Sequence, residues 1–195
     1  KFSQKVVIAL YVSFNFQLLQ ILAIYSIRGT EMHFALGIRL TRHGYGDGRY
    51  GTENNITRAE ILTILLQASK ITLPQVGNER CFPDVDPTLW YHQYVCAANK
   101  LGIAHGFSDG KFKPNDPVTT LEAIAFGAKA FSINDKIGTG EKWYEPLQKF
   151  ADENNIIATH TYTLSTKISR GKSAELITKL EDYKKTLSPL SYKSN

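Results

Sequence analysis

Cysteine is nearly absent from this chain. Cys81 and Cys96 are the two it has in 195 residues, and no matching set of cysteines and histidines accompanies them. A thiolate zinc site needs four ligands at set spacing, so that class is excluded. Charge of one sign is not gathered anywhere either. The net charge of +5 comes from scattered Lys and Arg; it favours an anionic partner, but the missing basic stripe argues against nucleic acid. No Ser/His/Asp or Cys/His constellation stands out, and no pair of carboxylates is singled out by its surroundings, so the sequence reads as non-catalytic, with no cofactor. With 43% hydrophobic and 21% charged residues, the chain is rich enough in apolar side chains to bury a core, which excludes wholesale disorder.

What the chain does have is an internal echo. His43-Gly44-Tyr45-Gly46-Asp47-Gly48-Arg49-Tyr50 is matched without a gap, 62 residues on, by His105-Gly106-Phe107-Ser108-Asp109-Gly110-Lys111-Phe112. The register continues from Ile56-Thr57-Arg58-Ala59-Glu60 to Val118-Thr119-Thr120-Leu121-Glu122. A repeat of this length is one supersecondary unit used several times, each copy burying its apolar face on its neighbours.

The second copy is the most complete. Trp90, Tyr94, Val95 and Ala98 fall at helical spacing, with Gly102 as the stop, and a second helix is expected from Thr119 to about Phe131. A third copy opens at Trp143-Tyr144, lacks the Asp-Gly turn, and has a second helix from Ile168-Ser169-Arg170-Gly171, with Leu176, Ile177, Leu180, Tyr183 and Leu187 on one face. The first copy keeps only its turn and second helix. Ahead of them, Val6 to Ile27 is a 22-residue run without charge, long enough to span a bilayer. A signal anchor, an assembly helix and the first helix of the repeat domain are all consistent with it. The units expected are 1–34 as a hydrophobic N-terminal helix, 35–78, 79–133 and 134–187 as repeats, and 188–195 as a tail.

Thr57-x-x-Glu60 and Thr119-x-x-Glu122 are capping boxes. Arg58 then lies in the first turn of a helix, where the dipole disfavours a cation but an anion would be welcome. A guanidinium there can fork onto a carboxylate. Arg170 holds the same position in the third copy, whereas the second has Thr120, and Lys172 stands where the third copy's glutamate belongs.

Several sharper patterns dissolve. Gly46-x-Gly48-x-x-Gly51 spells a dinucleotide fingerprint, but its counterpart is Ser108-x-Gly110-x-x-Lys113, so what recurs is the Asp-Gly turn. His43 and His105 read as packing or turn residues. Asp84, Asp86, Asp109 and Asp116 match no calcium loop, and Asp84 reads as a loop or cap residue. Trp90 and Trp143 read as core anchors between repeats.

Phe82-x-Asp84-Val85, Trp90, Leu101-Gly102-Ile103, Gly106-Phe107-x-Asp109-Gly110-x-Phe112-x-Pro114-Asn115 and Ile56-Thr57-Arg58-Ala59-Glu60 together resemble the S-layer homology (SLH) domain, over about residues 35–187. The resemblance implies a mostly α fold: a pseudo-threefold repeat of helix–loop–helix units. It implies grooves between repeats that bind an anionic secondary cell-wall polysaccharide, often bearing a pyruvate ketal, on the surface of an exported protein. By motif position, Arg58 and Arg170 would hold the glycan carboxylate, and Trp90, Trp143, Asp109 and Gly110 are candidates for the groove lining. At Thr120 the pattern departs, which puts that groove in doubt. On the exported reading Cys81 and Cys96 are a disulfide candidate, a pair of buried thiols being the other reading. The alternative function is a structural subunit of a lattice or surface filament that self-assembles through the N-terminal helix, with membrane contact through Val6–Ile27.

Overall fold

The computed structural model describes residues 51–157 and 162–187. The expected N-terminal helix with its membrane contact, the first repeat's His43 turn and the tail at 188–195 lie outside them. The described chain is mostly helical: α1 Arg58–Ser69, α2 His92–Lys100, α3 Thr120–Ala130, α4 Glu145–Glu153 and α5 Arg170–Leu187, with a 3-10 turn at Asn134–Lys136.

The starts of the helices follow from the sequence. In both capping boxes the threonine hydroxyl accepts from the glutamate N–H, at 3.3 Å, while the glutamate carboxylate accepts from the threonine N–H, at 2.9 Å. Two otherwise orphaned amides are thereby satisfied at each helix start. The stops are equally local. Gly102, at φ 68°, lets the Ile103 N–H reach Ala98 O at 2.9 Å. Ser132 (φ 54°) and Asn155 (φ 50°) do the same for Ile133 and Ile156, at 2.8 and 2.9 Å. Each left-handed residue ends its helix and turns a buried isoleucine back onto the core.

Helix α1 is buried on almost every side, Ile61, Leu62, Leu65 and Leu66 among its core residues, as expected of a helix enclosed by others. It packs on α2, α3 and α5, and α3 packs on α4 and α5. At the helix starts the chain closes on itself. Val118 N–H donates to Ile56 O (3.1 Å), Ile168 N–H to Val118 O (3.2 Å) and Ile56 N–H to Ile168 O (3.2 Å). Two residues further along, Arg58 N–H donates to Asp116 O, Thr120 N–H to Thr166 O and Arg170 N–H to Asn54 O, at 3.0, 2.8 and 2.8 Å. The two sets run in opposite senses, second unit to first, third to second and first to third in one and the reverse in the other, and neither has an open end. Ile56, Val118 and Ile168 are wholly buried at the centre.

At Gly127 helix α3 leaves no room for a side chain against α5. A Cβ there would run into Leu180 Cδ1 and lie 3.4 Å from Leu65 Cδ2, and both leucines are fully buried. Alanine is intrinsically the better helix former by about 1 kcal/mol, yet crowding in a packed core costs about 1–3 kcal/mol. Gly127→Ala is therefore expected to lower stability by up to about 2 kcal/mol, read as an earlier urea midpoint.

One expectation is corrected. Trp90 and Trp143 are not core anchors, being 58% and 59% exposed. The helices begin after them, and the buried stripe on α2 runs through Tyr91, Val95 and Ala98, one position later than the spacing from Trp90 suggests. Tyr91 is the anchor. Each tryptophan stands edge-on to the tyrosine that follows it, with ring centroids 5.3 and 6.0 Å apart.

Candidate functional site

The site is the junction where the start of α1 meets the second unit's Gly-Phe turn. Arg58, in the first turn of α1, reaches across it. Its Nε donates to Phe112 O at 2.9 Å and its Nη1 to Glu122 Oε1 at 2.7 Å. The rings of Phe107, Phe112 and Phe126 surround the guanidinium, their centroids 4.6, 4.9 and 5.3 Å from Cζ. Burial pulls the Arg58 pKa below its ordinary value, and the Glu122 carboxylate opposes that fall. A cation caged by π faces and paired once is well held. It is also only 3% exposed.

Arg170 repeats the arrangement. Its Nη1 donates to Glu60 Oε1 at 2.9 Å, and its residue is 3% exposed. In both junctions one glutamate does two jobs. Its Oε2 closes the capping box while its Oε1 receives the neighbour's arginine. Neither guanidinium presents a free fork to solvent, so a ligand carboxylate would have to compete with Glu122 or Glu60. At the remaining junction Thr120 replaces the arginine and Lys172 the glutamate. Arginine and partner are lost together.

The exposed surface over Arg58 is made by the turn. Phe107 is 39% exposed. Asp109 Oδ1 accepts from the Lys111 N–H at 3.0 Å, and that bond holds the Asp109 carboxyl below its ordinary pKa. Gly110 takes φ 77° at the exposed tip. Lys113 Nζ lies 3.3 Å from Asp109 Oδ2 and 4.3 Å from the Phe107 centroid. Beneath the turn, Asp84 binds two successive amides, Phe112 N–H at 2.9 Å and Lys113 N–H at 2.7 Å. That explains the Phe-x-Asp-Val motif: its aspartate fixes the turn of its own unit, 28 residues away.

Cys81 and Cys96 are joined as a disulfide, with Cα atoms 5.5 Å apart, tying the loop that carries Asp84 to α2. His105 is exposed at the start of the turn. A separate cleft of about 370 Å³ beside α4, lined by Lys136, Thr139, Glu145, Lys149 and Glu153, includes neither arginine. Among the described residues no cluster of His, Cys, Asp and Glu is placed to hold a metal ion, and no helix is long and apolar enough to cross a membrane.

Comparison with known proteins finds a family match over part of the chain. Residues 43–62 and 82–124 match the S-layer homology domain. The chain carries an S-layer homology domain. The matched residues take in the second unit's turn, Asp84, the start of α1 with Arg58, and Glu122. Similar proteins include the middle cell wall protein of Brevibacillus brevis, 34% identical over 119 residues, covering 59% of this chain and 10% of that protein. The surface layer protein of Brevibacillus choshinensis is 33% identical over 98 residues, 48% of this chain and 9% of its own length. Endo-1,4-beta-xylanase A of Thermoanaerobacterium saccharolyticum is 36% identical over 92 residues, 45% of this chain and 8% of the xylanase. The chain thus spans about a tenth of the length of these relatives. The third unit lies beyond the matched residues and is tied to the SLH units by the closed hydrogen-bond cycle.

Proposed function

We propose that this chain is a non-catalytic anchoring module of an exported cell-surface protein, built as three pseudo-threefold SLH repeats that hold an anionic cell-wall polysaccharide in the grooves between them. One observation carries the reading. Stretches similar to this chain occur in proteins named for the cell wall, for a surface layer and for a xylanase, names that share no single reaction and suit a common anchoring segment. The net charge of +5 suits an anionic polymer. A disulfide suits an oxidising exterior.

In this reading Arg58 and Arg170 build the groove walls as buried pairs, and the exposed groups above them meet the glycan. Trp90 and Trp143 offer their faces to sugar rings, and Asp109 and Gly110 shape the rim of the turn. The named surface-layer relatives favour a second role for the same module, as a subunit of a self-assembling lattice to which the uncharged run Val6–Ile27 contributes.

The test is co-sedimentation of the chain with purified wall sacculi, intact or stripped of polysaccharide by hydrofluoric acid, at two salt concentrations. Binding to intact sacculi alone, weakened as salt screens the exposed charges, is the expected result. Equal pelleting with stripped sacculi, or pelleting without any, would replace the glycan by self-assembly.

A further inference from the structure

We propose that Lys113 is the cation that meets the glycan's carboxylate at the α1–α3 junction, and that its unfavourable backbone conformation is retained for the sake of its side chain. The proposal rests on the glycan-anchoring reading above.

The starting point is a conformational outlier. Four non-glycine residues among those described have positive φ: Lys70, Lys113, Ser132 and Asn155. Lys70, Ser132 and Asn155 end helices. Lys113, at φ 59°, does not. Its amide and that of Phe112 both donate to the Asp84 carboxylate, a convergence of successive amides that a left-handed residue permits. Glycine is the natural occupant of such a position, since an L side chain there costs about 1 kcal/mol.

The first unit supplies the control. Its residue in the same place, 62 positions earlier, is Gly51, and Gly51 has φ 65°. The two share a left-handed φ, and one copy uses the strain-free residue while the other keeps a lysine. Turn geometry therefore does not explain the lysine. Strain kept at a position that glycine would relieve points to work done by the side chain.

The surroundings say what that work is. Phe107 has two cations within 5 Å of its ring centroid, Arg58 Cζ at 4.6 Å and Lys113 Nζ at 4.3 Å. The Arg58 charge is neutralised by Glu122 and is 3% exposed. The Lys113 side chain is 35% exposed, and its partner Asp109 is 46% exposed at 3.3 Å, so solvent reaches both. An exposed pair of this kind is worth little, and a lysine on a flexible stem can exchange Asp109 for a ligand carboxylate. The apolar face of a sugar ring on Phe107 with its carboxylate on Lys113 is the ligand chemistry that fits: an acidic sugar.

The test uses the full chain with intact and stripped sacculi, comparing Lys113→Gly, Lys113→Arg and Lys111→Ala, with a thermal midpoint for each. Lys113→Gly installs the first unit's residue, so its thermal midpoint should hold or rise while affinity for intact sacculi falls about tenfold or more. Lys113→Arg and Lys111→Ala should stay within about threefold of the unmodified chain, as variants that keep the charge or remove an exposed one beyond the ring. Undiminished binding by Lys113→Gly would overturn the role of Lys113 and leave the anchoring function standing. Parallel loss of stability and binding would overturn it in favour of a structural lysine. No binding by the unmodified chain would overturn both.

Discussion

Arg58→Ala is expected to lower stability by about 3 kcal/mol, measured by urea unfolding, whatever it does to glycan binding. The substitution leaves Glu122 without its cation and Phe112 O without its donor, and it empties a space walled by three phenylalanine rings. Breaking a buried pair from one side typically costs about 3–5 kcal/mol. The partial exposure of the Glu122 side chain, 23%, lets water recover some of that. Lysine should not rescue, because one ammonium cannot serve Phe112 O and Glu122 in the planar fork that guanidinium provides. Arg58→Met combined with Glu122→Gln should recover much of the loss, since both charges then leave together and the glutamine oxygen can still accept at the cap. If Arg58→Ala proved as stable as the unmodified chain, the buried pair would carry no structural load and the arginine would return to the list of direct ligand groups.

The second large effect belongs to the disulfide. Cys81 and Cys96 are 15 residues apart and bonded, and a crosslink of that span restricts the unfolded chain by about 3 kcal/mol in the chain-entropy view. Cys81→Ser with Cys96→Ser should therefore move the urea midpoint down by about 1–2 M for a domain of this size. The local consequence is specific. Phe82 and Asp84 follow directly on Cys81, and Asp84 holds the turn that bears Phe107 and Lys113. A double serine variant with an unshifted midpoint would mean that the His92 ring nitrogen, 2.9 Å from Glu79 O, already fixes this loop.

The helix starts and stops were legible because their causes lie within a few residues. Thr57 with Glu60 and Thr119 with Glu122 are complete instructions in four letters, and Gly102 is one in a single letter. The closed cycle and the arginine pairs were not, because their partners lie far along the chain, 54 to 110 residues away for the arginines. Glu122 shows the difficulty best. Its place in the capping box accounts for it fully at the level of sequence, and nothing in that reading hints that its second oxygen faces another unit's arginine. The joint departure at Thr120 and Lys172 was the available clue: two changes, each odd alone, that make sense as the loss of one pair. The tryptophans misled for a different reason. An aromatic just before a helix satisfies the spacing of the buried stripe as well as its neighbour does, and only the position of the first helical turn decides between Trp90 and Tyr91.

The hydrogen bonds among Ile56, Val118 and Ile168 form a circle, and a circle has a fixed number of members. In a stacked array a unit can be gained or lost at either end with little disturbance to the rest. Here each unit's central amide and carbonyl are committed to two different neighbours, so deleting one unit would strand a buried donor on one side and a buried acceptor on the other. A fourth would find no vacancy. Ile56, Val118 and Ile168 thus complete one another's hydrogen bonding at the axis, and losing any one of them opens the other two.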